Sequence, residues 1–439
     1  MKKLLSILLA STMIISTASM VGVSAAADTT ATNETVATQE TTAPTESVEP
    51  PTEPTAPATE ATATNKKNTY KNFTYSVDGN TVTITKYKGS AKSVTIPDTI
   101  DGKKVTTIGK QAFRKNETIE KVFIGKNVTA INDGAFAYCK NLKKVTFGKK
   151  VKTIGISAFL RCKKLTNIKL PSKLTSIKWG VFAYTGLTSI KITKNVKNIT
   201  SHGLEINSLK KITVAKKNSK FSSKDGILYN KKQTELLICP QALDNKTLTL
   251  PNTVKRIDRD AFRFNKNLHT VTLPNKLKTI GDGAFSVCKN LREITIPKKV
   301  TDIYEGAFSS CKKLTKVTIL NKNTHIENAA FGNCGFTSFE VAHNSEEELS
   351  GCMKLNSITI TPDVKIIGWK QFFNCPKLKT VTIPKTVEEI GDKAFGFKLK
   401  VVNGKAKTVK VNGFTIKGKK NTAAHRYAKE HGFKFVEIN

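Results

Sequence analysis

A phenylalanine, usually preceded by alanine, returns along this chain every 23 residues. Phe113, Phe136, Phe159 and Phe182 form one run, Phe262, Phe285, Phe308 and Phe331 a second, and Phe372 and Phe395 a third. Five residues before each stands an isoleucine: Ile108, Ile131, Ile154, Ile177, Ile257, Ile280, Ile303, Ile326, Ile367 and Ile390. One clean copy, Leu142 to Lys164, reads L-x2-V-x-F-x3-V-x2-I-x3-A-F-x2-C-x2. A period of this length, repeated ten times, is the mark of a stacked repeat rather than of two or three independent globular domains.

The apolar spacing inside one copy predicts its elements. Val145 and Phe147 alternate with polar residues, as a half-buried strand requires. Gly148, and Pro171, Pro274, Pro297 and Pro384 in other copies, then turn the chain. The pair Val151-x-x-Ile154 lines the next side of the coil, and Ala158-Phe159 sits in a short helical or 3₁₀ turn with its ring directed inward. One copy buries too little to fold alone, so the copies must stack into one continuous core with both ends capped. Thirteen strands are expected, from Val94-Thr95-Ile96 to Val381-Thr382-Ile383. Two copies are irregular. Leu204 takes the phenylalanine position one residue early, and Leu349 takes it 18 residues after Phe331. Residues 204–250 and 331–349 are therefore where a contact not written into every coil would lie.

These residues resemble the BspA-like leucine-rich repeats of secreted bacterial surface proteins. Phe73 to Gly89 is similar to that family's N-terminal hairpin, and its Asp78-Gly79 pair favours a hairpin turn independently. The stretch from Gly226-Ile-Leu-Tyr229 to Cys239-Pro240 resembles a hairpin insert, and Gly418 to Ile438 a C-terminal cap. In that cap Asn421 is expected to begin a helix and Gly432 to end it. The resemblance implies an α/β fold: a right-handed leucine-rich-repeat solenoid, horseshoe or rod, β-rich with a stacked parallel sheet. It also implies export and binding to host or cell-surface partners, with no single conserved activity. The organisation follows: signal peptide 1–27, linker 28–68, N-terminal hairpin cap 69–105, repeats 106–400 with a hairpin insert at 215–247, and a strand-helix-strand cap 401–439.

Export has its own signal. Lys2 and Lys3 precede an apolar run from Leu4 to about Val23, closed by Ser24-Ala25-Ala26-Ala27. The first cysteine is Cys139, so a lipid anchor on a mature N-terminal cysteine is excluded. No later segment is apolar enough for an integral membrane span. Residues 28–64 are Thr, Ala, Pro and Glu without Lys or Arg, the composition of an extended linker. Beyond them stand 70 basic against 27 acidic side chains, a net charge of about +43 compared with +38 for the whole chain.

Eight cysteines in an exported chain suggest disulfides. Their spacing does not. Cys139, Cys162, Cys288, Cys311, Cys334, Cys352 and Cys375 each follow the repeat Phe or Leu by three residues, which predicts a buried structural ladder, one thiol per coil. Asn116, Thr185 and Asn265 replace it in other copies, so the position also suits a side chain that bonds backbone. Cys239 stands outside the ladder. No paired Cys/His spacing points to a metal, and no cofactor motif or nucleophile-base pairing points to catalysis. The carboxylates Glu346-Glu347-Glu348 cluster in a shortened repeat and read as a solvated loop.

What remains is charge with a period. Lys140, Lys163, Lys266, Lys289 and Lys312 share one repeat position, with Lys354 and Lys377 one residue later. Lys126, Lys149, Lys173, Lys194, Lys276, Lys298, Lys322 and Lys385 lie at the turn before the V-x2-I pair. Stacking turns each set into a row, without interleaved acids, that should attract polyanions. The middle column of the strands is mostly threonine, interrupted by Phe123, by Lys169 and Lys191, and by Glu340. Trp179 and Trp369 are either exposed edge contacts or packing over the turn. The ligand-binding candidates are Phe123, Lys169, Lys191, Lys140, Lys163, Lys289, Lys312, Lys149, Lys173 and Lys298. The expectation is a non-catalytic extracellular binding protein, an adhesin or cell-surface interaction module. Its partner would be an extracellular protein or an anionic glycan or wall polymer, not a specific nucleic acid. The alternative is a structural or accessory wall protein held electrostatically on anionic polymer.

Overall fold

In the computed structural model the chain divides into two units, Met1–Thr64 and Asn65–Asn439. The described residues are 68–200, 202–342 and 349–438. The export segment, the linker up to residue 67, and the Glu346-Glu347-Glu348 trio lie outside them.

The second unit is a β-solenoid. Strands of successive coils pair parallel and in register, Lys121–Phe123 with Lys144–Thr146 and Thr247–Thr249 with Thr270–Thr272. The V-x2-I segments form a second parallel set, such as Ala130–Ile131 with Thr153–Ile154. Twelve of the thirteen expected positions in the first set are strands, and residues 168–170 make no ladder. Register follows from the apolar pattern, because a slip of one residue would turn Val122 and Val145, both buried, out to solvent.

Where the sequence predicts a short helical or 3₁₀ turn around Ala-Phe, the chain instead makes a run of tight turns. The physical reason is where the amide points. Phe136 donates its N–H to Ala158 O at 2.8 Å, Phe285 to Ala307 O at 2.6 Å and Phe308 to Ala330 O at 2.7 Å. These bonds run along the stack to the next coil, not back along a helix. They require left-handed backbone on either side of the phenylalanine. The residue two before it has positive φ in every one of the ten copies, from Gln111 (58°) to Lys393 (55°). The residue two after it does so in nine, including Tyr138 (64°) and the β-branched Val287 (59°). The rings then stack face to face. Centroids are 4.7 Å apart for Phe113 and Phe136, 5.0 Å for Phe285 and Phe308, and 4.9 Å for Phe372 and Phe395.

Each end of the stack is closed differently. At the N-terminus Asn68–Tyr70, Phe73–Asp78 and Thr81–Tyr87 form an antiparallel sheet whose last strand pairs parallel with Lys103–Ile108. The hairpin turn is Gly79-Asn80, since Asp78 pairs with Thr81. At the C-terminus Thr415–Gly418 continues the stack beside Thr380–Thr382, and Lys434–Glu437 adds a further strand. The helix between them is Ala423–His431, with Thr422 rather than Asn421 at its N-cap. Asn421 has positive φ and donates its backbone N–H to His425 Nδ1, so it belongs to the preceding turn. Gly432, at φ 60°, ends the helix as expected. A hairpin of Phe397–Val402 and Lys405–Lys410 precedes this cap and has no signature in the repeat pattern.

The insert interrupts the stack. Phe221–Lys224, Ile227–Asn230 and Glu235–Ile238 form an antiparallel sheet, and the last strand pairs parallel with Arg256–Ile257. The buried core divides here. Leu228 packs with the N-terminal cluster, whereas its neighbours Ile227 and Tyr229 pack with the C-terminal one. Cys239 donates its N–H to Ala261 O at 2.7 Å, the bond made by the repeat phenylalanine elsewhere. It therefore fills the phenylalanine place in the coil before Phe262.

The last coil has no successor to receive the amide of Phe395. The Tyr427 hydroxyl accepts that N–H at 3.0 Å and donates to Phe395 O at 3.0 Å. Tyr427→Phe should strand both groups in a buried place and cost about 2 kcal/mol. The expected result is a lower denaturant midpoint in equilibrium unfolding. An unchanged midpoint would refute the capping role of this hydroxyl.

Candidate binding surfaces

The middle column of the strands faces outward. Thr95, Phe123 and Thr146 lie side by side, and all three are exposed, Phe123 at 37%. Lys191 pairs across from Thr213, and Lys169 is exposed without a strand partner. The lysines of both rows are exposed as well, among them Lys149, Lys163, Lys173, Lys289 and Lys298.

The rows are not free of acids throughout. Lys126 meets Asp98 at 3.1 Å, Lys140 meets Glu117 at 3.6 Å and Lys322 meets Asp363 at 3.3 Å. These acids come from other coils and other repeat positions, so their interleaving is invisible in the column of lysines. Lys312 bonds Asn333, and partial burial lowers its pKa. Lys266 donates to Asn207 O at 3.0 Å.

One tract stays open. Residues 134–204 hold fourteen lysines and one arginine and no Asp or Glu. Among the described residues only Lys140 and Lys143 of these form ion pairs, both with acids of the preceding coil. The same tract carries three exposed large apolar side chains, Ile156 (43%), Trp179 (51%) and Tyr184 (48%). Arg161 lies 5.5 Å from the Tyr138 ring centre and 5.3 Å from that of Tyr184. Arg114 also lies 5.5 Å from the Tyr138 ring centre. Trp179 is thus an exposed edge residue, whereas Trp369 is half-buried beneath the Lys370 ammonium at 3.8 Å.

All eight cysteines are free and buried. Six ladder thiols donate to the carbonyl of the repeat phenylalanine one coil earlier, Cys139 to Phe113 O and Cys311 to Phe285 O at 3.1 Å, and Cys352 to Phe331 O at 3.5 Å. Cys375 reaches Leu349 O at 3.4 Å. Burial pushes the Cys139 thiol up to about 12.

The coil break at the insert holds a cleft of about 460 Å³. Among the described residues strand Asn198–Ile199 pairs with Ser176–Ile177 and with no strand of the insert. The cleft lies between that segment, the hairpin and the turn before Phe262. His202 Nδ1 is 3.1 Å from Glu205 and its Nε2 is 3.9 Å from Asp260. Arg263 reaches Asp260 at 3.3 Å, and Arg259 reaches Asp282 at 2.8 Å. The Glu205 bond raises the His202 pKa above its usual value and lowers that of Glu205. Desolvation raises that of Asp260. Sequence reasoning marked residues 204–250 as exceptional but assembled no site there. Its contributors are up to 83 residues apart, from Ile199 to Asp282. No group of three His, Cys, Asp or Glu side chains among the described residues is placed to hold a metal ion.

The repeat itself decides the family. The family model for the BspA-type leucine-rich repeat region matches residues 86–227, 241–347 and 345–414, in six copies. The chain belongs to this family. Its repeat is typical of bacterial surface proteins. The BspA-type match breaks between residues 227 and 241, where the hairpin departs from the coil. A leucine-rich repeat protein from Eubacterium ventriosum shares 27% identity over 74% of this chain and 92% of its own, with a TM-score of 0.59. One from Bacteroides ovatus shares the fold at 23% identity, over 85% of this chain and all of its own, with a TM-score of 0.59. The pneumococcal vaccine antigen PcpA does so at 19% identity, over 84% and 98%, with a TM-score of 0.57. No curated protein sequence matches the chain. No helix among the described residues is long and apolar enough to cross a membrane.

Two measurements follow from this geometry. The thiolate is the reactive species, so buried BspA-type ladder thiols should be silent to a disulfide reagent in the folded chain. All eight should react after denaturation, and rapid labelling of the native chain would contradict the burial. The His202–Glu205 pair should show in a pH titration. A raised histidine contributes stability in full below its usual 6.5 and loses it as pH climbs through the raised value. A lowered glutamate contributes in full above 4.5 and loses it as pH falls. The pair therefore counts most between those values. NMR should place the His202 midpoint above 6.5, with Glu205→Gln bringing it down. A wild-type midpoint at or below 6.5 would show that the pair does not form in solution.

Proposed function

We propose that this chain is a non-catalytic extracellular binding protein, an adhesin or cell-surface interaction module whose partner is an anionic glycan. The acid-free tract of residues 134–204 carries this reading. A row of unpaired lysines at one coil spacing, roughly 5 Å, matches a linear polyanion that presents charge at regular intervals. The exposed Trp179 and Tyr184 and the Arg161 guanidinium supply flat, partly apolar contacts beside those charges. Arginine and aromatic side chains carry much of the energy in binding surfaces, while single lysines at a rim carry little. Lys163, Lys169, Lys173 and Lys191, all in the tract, are the positions to change first. Export follows from the basic start, apolar run and small-residue close of residues 1–27, together with a repeat family typical of the bacterial surface.

A second reading is favoured by the same unpaired lysines. The protein would be a structural or accessory component held on anionic wall polymer. Polymer charge alone would then suffice, and Trp179 would be dispensable.

The test is binding of the purified chain to sialylated mucin and to purified bacterial wall at two ionic strengths. Mucin binding should weaken at least ~10-fold on raising salt, as screening of exposed charges demands. Lys163→Glu with Lys191→Glu should reduce it similarly, and Trp179→Ala should weaken it without changing the salt dependence. Binding to wall alone, indifferent to Trp179→Ala, would favour the second reading. Binding of both that survives high salt would sink the electrostatic basis of either.

A further inference from the structure

We propose that the cleft at the coil break is a second binding site and takes a neutral pyranose sugar. Its floor is apolar, with Phe221, Leu228 and Leu237, and its rim is polar, with Glu205, Asp260 and Arg263. At about 460 Å³ it has the volume of a small-ligand pocket.

Two polar atoms in it lack partners. Thr200 Oγ1 and Arg263 Nε are buried and make no hydrogen bond among the described residues. Gln241, only 8% exposed, also lines the cleft and offers its carboxamide there. Buried polar groups are nearly always satisfied, so two unpaired ones on a single cavity point to a partner from outside the chain.

The kind of partner follows from the groups. Arg263 Nε can only donate, Asp260 and Glu205 can only accept, and Gln241 and Thr200 do both. Groups on a ligand that meet such a mixture must themselves donate and accept, which is the property of hydroxyls. Charge narrows it further. The guanidinium-carboxylate pairs Arg256–Asp258, Arg259–Asp282 and Arg263–Asp260 leave the cleft close to neutral on a strongly basic chain. Nothing there rewards an ion of either sign. The apolar floor suits one face of a ring that carries hydroxyls on its edge. A pyranose has that shape and chemistry. If the sugar carries an acetamido group, the Gln241 carboxamide is its natural complement, and the acetyl methyl would rest on the floor.

This inference does not depend on the lysine rows, and salt separates the two. Neutral-sugar binding should persist at an ionic strength that weakens polyanion binding. The experiment is saturation-transfer NMR of the purified chain with glucose and with N-acetylglucosamine. Saturation should reach the ring protons of at least one sugar, and the His202 ring signals should move while those of His425, in the cap, stay fixed. Equal transfer to both sugars would assign hydroxyl contacts alone, and stronger transfer to N-acetylglucosamine would assign the amide to Gln241. Gln241→Leu should reduce transfer at least ~10-fold with the unfolding midpoint unchanged or raised, since it removes a polar group from the cleft wall without breaking a hydrogen bond seen among the described residues. A merely structural glutamine would instead lower that midpoint. No transfer to either sugar, or a wild-type His202 signal that ignores both, overturns the proposal.

Discussion

The backbone at the repeat phenylalanine bonds to neighbouring coils, and the rest of the structure depends on that demand. Each buried N–H in the series needs the carbonyl 22 residues ahead, as Phe136 needs Ala158. A buried amide without a partner is costly, so a coil cannot simply stop. The left-handed turns exist to aim these amides along the stack. The stacked rings result, since the same geometry repeats the Phe side chain at one place per coil. The ends exist for the same reason. At the N-terminal end Tyr87 donates its N–H to Ala112 O at 2.9 Å and stacks its ring on Phe113 at 5.1 Å, so a hairpin strand imitates a coil. At the C-terminal end a single hydroxyl replaces the missing coil.

Much of this was legible before any coordinates. The phenylalanine period announced the stack, the family resemblance announced the insert, and Gly432 announced the end of the helix. What escaped notice has a common cause. Left-handed φ at Tyr138 or Val287 is imposed by hydrogen bonds to other coils, and no local preference of those residue types reveals it. The hairpin of Phe397–Val402 and Lys405–Lys410 has mostly exposed side chains, so it lacks the buried alternation that makes a strand readable. The cleft at the insert joins side chains that are distant in sequence, and only the break in stacking brings them together.

Charge is distributed by the same geometry. A repeat position that faces solvent is copied into a row, so a lysine there is multiplied by the stack. Neutralisation needs an acid at a different position of a neighbouring coil, as Asp98 supplies to Lys126. Residues 134–204 have none to offer, and the row stays open there. The insert reverses the pattern. Three arginines within Arg256 to Arg263 each face an aspartate, and Arg259 brings two of its guanidinium nitrogens to Asp282 Oδ2. Two surfaces of opposite character, one open and cationic and one paired and nearly neutral, thus lie on one solenoid.

The position three residues after the phenylalanine shows how finely the stack discriminates. Inside a regular run it is cysteine, whose thiol donates to the carbonyl one coil earlier at 3.1 Å in four of the coils. A thiol is a weak donor, and it suffices where the rest of the preceding coil is already in register. Where the preceding element is not a regular coil, asparagine takes over. Asn116 donates to Gly89 O of the N-terminal cap, and Asn265 to Pro240 O of the insert. Each also accepts two backbone N–H groups of its own turn, Asn116 from Thr118 and Ile119, and Asn265 from Asn267 and Leu268. The carboxamide thus restores locally what an irregular neighbour fails to impose. Thr185, in the last phenylalanine coil before the break, turns back to Phe182 O of its own coil instead. Asparagine at this position thus marks the coils that follow the N-terminal cap and the insert, whereas the shortened copy at Leu349 is followed by a cysteine, Cys375, that bonds Leu349 O.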